Sequence, residues 1–462
     1  MGNDLALMIP EIIVALTAVA ALSAEMLHRP RAAYIASICG LALAIVFTFS
    51  LVGENAIAFS GTFRIDPLSV WAKLVLLPTT ILSLFLVRSE LAGSDREGTA
   101  YVLVIMTTLA SLLLAGVGDS MILVLGILLS SLASFALVAY PRDDAATEAS
   151  MKFFVFASVT ASVMLFGLTY WFGGTGSTLL SELSILEKSP VLAAIGFVAV
   201  VIGLGYKIAL VPFHFWAPDA YQGAPISVAA YLSVAPKIGG VFAFAQIVRD
   251  LPVESGWQWI IAIVAVLTMT LGYLAALVQE NIVRLLAYSS VAQAGYFLLG
   301  VIAFGPSETI TLGYESLIIF AAAYAAMNLG AFAVVMQVGR TREMFKGIGK
   351  NAPLMAAAMV MFLISLAGIP PLAGFVGKFL LFGAAMDAGY TWLVVIAILN
   401  SVLSLAVYLR IIVPMYQQTD THSCHALESS LLNSTWIKPV WLTGLFFTVL
   451  IGLAAQLLLG KL

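Results

Sequence analysis

Charge is what this chain has least of. Only 10% of its 462 residues are charged, against about 25% in soluble proteins. A chain of this length folding in water needs far more polar surface, so a water-soluble globular protein is excluded. Cysteine is nearly absent as well. Cys39 lies in an apolar run and Cys424 in the polar stretch Thr421-His422-Ser423-Cys424-His425. Two distant thiols make neither a disulfide scaffold nor an iron–sulfur cluster. His422, Cys424 and His425 could form a metal site, although incidental loop residues are the simpler reading. No run rich in Lys or Arg suggests nucleic-acid binding. No dinucleotide-binding glycine pattern, phosphate-binding loop or haem motif appears, so the chain shows no means of handling electrons.

What is abundant is apolar. Such residues make up 62% of the chain and gather in runs of roughly 20, enough to cross a hydrocarbon core about 30 Å thick. The runs fall near 9–27, 33–52, 67–87, 100–118, 120–140, 150–172, 191–213, 225–249, 257–278, 285–304, 311–337, 352–386, 390–416 and 439–460. The expectation is an all-α polytopic membrane protein of about 14 helices, a single transmembrane domain over 1–462 in contact with the lipid bilayer. The first run lacks a basic leader and is long enough to span, so a cleavable signal is not expected.

Orientation follows from loop charge. With the N-terminus outside, the inner loops hold Arg29, Arg31, Arg88, Arg96, Arg142, Arg284, Arg340, Arg342, Lys346, Lys350, Arg410 and Lys438. The outer loops hold Arg64, Lys188, Arg249 and Lys461. Twelve against four obeys the positive-inside rule and places both termini in the periplasm.

Five lysines escape this division: Lys73, Lys152, Lys207, Lys237 and Lys378. A lysine at mid-membrane costs roughly 2.5–3.5 kcal/mol on insertion scales, so it must snorkel to an interface or face a polar interior. Lys73 and Lys152 lie near the ends of their runs, where snorkelling competes with function. Lys207 and Lys237 sit deeper, on consecutive helices.

Two stretches break helical grammar, GLGYKIALVPF (203–213) and GIPPLAGFVGK (368–378). Each sets glycine, proline and one lysine inside an apolar span, which predicts interrupted helices. Breaks in the seventh and twelfth spans, five apart, point to inverted repeats over helices 4–8 (100–249) and 9–13 (257–416). Helices 1–3 (1–99) and helix 14 (439–460) flank them. A broken helix exposes carbonyls that favour a nearby ammonium or a passing proton. Burial disfavours any charged amine, so lysines linked by water and small polar side chains could pass protons along the membrane interior. Among weaker candidates, His214 and Trp216 read as aromatic belt or helix-end packing. Gln293 reads equally as interhelical bonding or part of a water chain. Glu315 and Asp387 are expected near the outer surface.

The stretch GYKIALVPFHFWAPDAYQGAP (205–225) resembles the signature of subunit N of bacterial proton-pumping NADH–quinone oxidoreductase, complex I, close to G-(F/Y)-K-x-x-x-V-P-F-H-x-W-x-P-D-x-Y-x-G-A-P. NIVRLLAYSS (281–290), the 368–378 stretch and EASMKF (148–153) are similar to further motifs of that family, in the same order. The resemblance implies fourteen helices in two inverted five-helix repeats and a water-filled proton path. Lys207 would be the central protonation site of the first half and Lys152 its modulator. Lys237 would link the halves and Lys378 serve the second. It implies no cofactor in this chain, with NADH, FMN, iron–sulfur clusters and quinone on partner subunits. It also implies sister antiporter-like subunits as neighbours and a bacterial inner membrane as location.

One departure stands out. The family places a glutamate in helix 5, within L-G-x-E-x-x-S-L, as partner of the helix 7 lysine. Here LGILLSSL (125–132) puts Leu128 there. Val283, where the family often has lysine, is a smaller departure. A structural, non-pumping paralogue and a stand-alone cation/proton antiporter subunit therefore remain as alternatives. The orientation has a direct check: a cleavable epitope before Gly2 should be digested in spheroplasts and protected in inverted vesicles. The opposite pattern would reverse the topology.

Overall fold

The computed structural model describes residues 2–253, 256–304, 310–418 and 435–458; Cys424 and the two histidines beside it lie outside them. Thirteen helices among these are long and apolar enough to cross a membrane. In chain order they are α1 (Ile9–Met26), α2 (Pro30–Phe49), α3 (Pro67–Leu91), α4 (Glu97–Ala115), α5 (Ser120–Val138), α6 (Asp144–Thr175), α7a (Pro190–Ile208), α8 (Ile226–Val248), α9 (Trp257–Leu277), α10 (Ile282–Ile302), α11 (Ile310–Val338), α13 (Thr391–Met415) and α14 (Ile437–Leu458). The twelfth position is filled by two shorter helices, α12a (Pro353–Ala367) and α12b (Ala373–Asp387). A two-turn helix, α7b (Trp216–Gly223), follows α7a. The expected fourteen positions are thus present, with the seventh and twelfth discontinuous.

Local sequence explains the boundaries. Asp66, Asp119, Asp143 and Asn281 cap α3, α5, α6 and α10, each side chain accepting from a free first-turn N–H. Proline opens α1, α2, α3, α7a and α12a, where its missing donor costs nothing. α7a stops where Ala209 turns left-handed (φ 65°), and α12a stops where Gly368 does (φ 92°). Pro212 and Pro370 then prevent either helix from resuming at once. The sequence reading ran the seventh span to residue 213 and left 216–223 as connection. The helix instead ends at Ile208 and a second half forms beyond the break.

Burial sorts the helices. α8 is wholly enclosed and α10 nearly so, while α1, α2 and α14 are largely exposed on the outside of the bundle. α8 and α10 are also the two least apolar spans, consistent with helices that meet protein rather than lipid. α8 touches α3, α4, α5, α7a, α10 and α11.

On the side where α1 and α3 begin, a hairpin of β1 (Ala56–Ala58) and β2 (Phe63–Ile65), register Ala56↔Ile65, closes the surface. Its Arg64 pairs with Asp250, and Asp66 is held by Arg249 (2.7 Å) and by Gln246 of α8 (2.9 Å). Burial works to raise the Asp66 carboxyl. Arg249, the Ser69 N–H and Gln246 outweigh it and hold the group below the usual carboxylate range.

Lys73 does not snorkel. It is fully buried and lies 2.6 Å from Glu11 of α1 as an ion pair, its Nζ 5.3 Å from the Phe63 ring centroid. Neither charged group finds a well-aligned hydrogen bond among the described residues. The partner, Glu11, is an acid that opens an apolar run, and nothing in the sequence pairs it with Lys73.

The two halves of helix 12 meet tightly. A Cβ on Gly374 would lie 1.8 Å from the Ser365 carbonyl oxygen, whereas one on Gly173 in α6 would meet nothing within 4 Å. Gly374→Ala should therefore lower stability by about 1–3 kcal/mol through forced backbone movement. Gly173→Ala should be neutral or mildly stabilising. Thermal melts of the purified protein compare the two, and equal melting temperatures would contradict the close approach.

Candidate functional site

Three of the five lysines lie deep in the bundle and differ in what surrounds them. Lys207 occupies the last turn of α7a, just before the left-handed Ala209, and is 3% exposed. Its ammonium has no hydrogen-bond or ion-pair partner among the described residues. Gly240 of α8 leaves room for its stem.

Lys237 sits near the middle of enclosed α8, next to Pro236. It donates to the Ser290 carbonyl of α10 at 2.6 Å and to the Ser290 hydroxyl. The Tyr324 hydroxyl of α11 lies 2.9 Å from the same Ser290 oxygen and 3.0 Å from the Ser233 carbonyl. Asn328 donates to the Ser233 hydroxyl at 2.5 Å.

Lys378, in α12b, turns back into the break. It donates to the Leu366 and Ala367 carbonyls at 2.9 and 3.1 Å and to the Ser401 hydroxyl of α13 at 3.0 Å. These carbonyls are the ones left free where α12a ends, so the interruption supplies acceptors that a continuous helix would have used. The ammonium also lies 4.1 Å from the Tyr296 ring centroid. A cavity of about 380 Å³ opens beside it, lined by Lys378, Ser401 and apolar side chains including Phe379 and Val402.

Two polar clusters, one around the second lysine and one around the third, adjoin at Ser290 and Ser289, whose side chains share no hydrogen bond among the described residues. Ser289, the neighbour of Ser290, shares a hydrogen bond with Tyr408 of α13 at 2.7 Å. Gln293 donates toward Tyr408 (3.3 Å), Tyr273 (3.1 Å) and the Leu366 carbonyl (3.0 Å), which also accepts from Lys378. Gln293 is therefore both an interhelical bond and a link in the second cluster. Tyr408, Ser401, Ser290 and Tyr324 were missed in sequence. Hydroxyls are common in membrane helices, and only proximity to a lysine distinguishes these.

Lys152 is elsewhere. Its side chain is 46% exposed and lies 2.7 Å from Glu148 and 3.0 Å from Asp219, which also binds Arg284 at 2.6 Å. Four motif charges thus converge at one end of the bundle. His214 is buried, with Nδ1 unpaired among the described residues. Trp216 stacks on Phe153 with centroids 4.2 Å apart, which is helix-end packing, one of its two expected roles. Leu128 faces outward from α5, 43% exposed. No cluster of metal-binding side chains occurs among the described residues.

A broken-helix bundle with buried amines at both breaks is the architecture of a membrane ion translocator. Comparison with known proteins narrows the class. The family model described as "NADH:quinone oxidoreductase/Mrp antiporter, TM" matches residues 117–404. NADH-quinone oxidoreductase subunit N of Desulfovibrio desulfuricans is 36% identical, over 99% of this chain and 95% of that one. F(420)H(2) dehydrogenase subunit N of Methanosarcina mazei is 40% identical over 78% of this chain and 76% of its own. A chain of respiratory complex I from Thermus thermophilus, solved with bound aureothin, superposes with a TM-score of 0.78 at 29% identity, over 95% of this chain and 98% of that one. The chain belongs to the antiporter-like membrane subunit family of NADH:quinone oxidoreductases.

If the second cluster is bonded in this way, its middle hydroxyl should matter. Tyr408→Phe removes the group between Ser289 and Gln293 and should cost about 1–3 kcal/mol for the buried partners left unpaired. Tyr170→Phe, whose hydroxyl bonds nothing among the described residues, should cost nothing. Denaturation midpoints test this, and an unperturbed Tyr408→Phe protein would contradict that bonding.

Proposed function

We propose that this chain is the N-type subunit of a complex I-like respiratory enzyme. It carries protons through Lys207, Lys237 and Lys378 while redox chemistry runs in other subunits. The observation that carries this reading is the placement of one buried lysine at each helix break and a third on the enclosed helix between them, with hydroxyl and amide groups clustered around two of the three. Such a row has no role in packing, since burying an ammonium is costly unless it is used or fully paired. The names of the relatives support the same assignment. One of those names carries F(420)H(2) rather than NADH, so the donor is a property of the partner subunits. NADH, FMN, iron–sulfur clusters and quinone belong to those partners in this reading.

The division into repeats α4–α8 and α9–α13 is part of the proposal, as are both termini in the periplasm and a bacterial inner membrane. Lys152 is proposed to modulate the first half from the membrane edge. The non-pumping alternative draws on one observation: Lys207 is without a partner and Leu128 stands where the family has its glutamate.

The intact complex in proteoliposomes decides between them through protons moved per NADH oxidised. Lys207→Ala and Lys378→Ala are each expected to lower proton-coupled turnover by about 10²-fold, the scale of losing one positioned proton carrier. If both variants keep the native ratio and only Leu128→Glu raises it, the subunit is silent and its role structural.

A further inference from the structure

The signature residue Asp219 has no place in the lysine row, yet the structure sets it at a junction. It lies on α7b, and that short helix is gripped from three sides. Asp219 accepts from Arg284 of α10 at 2.6 Å through one carboxylate oxygen and from Lys152 of α6 at 3.0 Å through the other. Arg340, just beyond α11, donates to the Gln222 and Ala224 carbonyls at 2.6 and 2.9 Å. These lie at the C-terminal end of α7b, where a cation suits the helix dipole. A polar cavity of about 280 Å³ adjoins this cluster, lined by Glu148, Lys152, Asp219, Gln222 and Arg284 among others.

The other end of α7b is bonded to the backbone beside Lys207. Trp216 stacks on Phe153 nearly parallel, 4.2 Å between centroids and 15° between planes. Its indole N–H donates to the carbonyl of Tyr206, the residue before Lys207, at 2.8 Å. The Tyr206 hydroxyl in turn donates to the Phe153 carbonyl at 3.1 Å. One two-turn helix therefore adjoins a polar cavity of about 280 Å³ at one end and carries an aromatic cluster at the other, bonded to the backbone one residue before a lysine unpartnered among the described residues.

We propose that α7b is the gate to Lys207 on the Lys152 side of the membrane, that Phe153, Trp216 and Tyr206 form its closed bar, and that Asp219 is the positioning residue that latches it. The inference rests on Lys207 being a proton carrier, as proposed above. Lys152 supplies a way to release the latch. It already lies 2.7 Å from Glu148, so it can turn wholly to that partner without leaving a buried charge uncompensated. Asp219 then keeps only Arg284, a residue of the opposite proposed repeat. The state of α10 would thereby bias access to the first-half lysine.

Access to Lys207 can be read without pumping. In the intact solubilised complex, with Cys39→Ser and Cys424→Ser, Lys207→Cys is exposed to methanethiosulfonate ethylammonium and its modification followed by peptide mass spectrometry. The closed bar predicts slow modification. Asp219→Asn should accelerate it about tenfold, the scale of losing charge-assisted bonds from the closed state. Asp219→Glu should restore the slow rate. Lys152→Met and Arg284→Gln each remove one hold and should accelerate it by about threefold on the same reasoning. Trp216→Ala should open access with Asp219 intact. Rates within about twofold of native for Asp219→Asn, or for both partner variants should Asp219→Asn fail to assemble, would overturn the latch. Slow native modification accelerated by Asp219→Asn, together with an unaltered proton ratio in Lys207→Ala, would instead keep the gate and sink the proton-carrier reading.

Discussion

The structure depends on how an amine can be kept inside a membrane. An ammonium there has lost its water, and unless oxygen acceptors replace that water the cost is several kcal/mol. Regular helices offer none, because their carbonyls are committed to their own N–H groups. Ending a helix in mid-bundle frees them. Lys378 shows the solution in full, with two carbonyls of a terminated helix and one serine hydroxyl around its Nζ. Lys237 has the carbonyl and hydroxyl of one serine. Lys207 stands at an equivalent break yet has no such acceptor among the described residues. The three sites are graded in how many oxygen acceptors surround the ammonium.

The same constraint arranges the helices around the row. The groups that bond Lys237 and Lys378 come from α10, α12a and α13, and α8 and α10 are shielded from lipid. The flanking helices carry a separate buried pair, Glu11 and Lys73, which ties α1 to α3 near the hairpin. Breaking such a pair from one side strands a charge, so these two helices are fastened to the bundle by more than apolar contact.

Much of this was legible in the residues. Runs of apolar side chains gave the helices, because a span has one length to meet. Glycine and proline beside a lysine gave both breaks, because those residues act through the local backbone. What was not legible depended on tertiary placement. Nothing in the sequence distinguishes Tyr408 or Ser401 from the many hydroxyls on lipid-facing helices. For Lys73, snorkelling and function could not be separated, because its partner Glu11 lies far away in sequence. Lys152, weighed as a snorkelling residue or a modulator of the first half, stands with Asp219 and Arg284, which motif order alone could not bring together. The end of α7a was misjudged because α7b, only two turns long, is too short to show a period.

The enclosure of α8 reaches beyond packing. Bilayers differ in thickness, and a helix in contact with lipid answers such differences by tilting or by dragging its flanking residues. α1, α2 and α14 are exposed to that pull. α8 is not, since every one of its residues from Ile226 to Val248 is buried against protein. The lysine at its centre is thus mechanically insulated, and membranes of different composition can deform the rim of the molecule while the spacing between Lys237 and Ser290 stays the same.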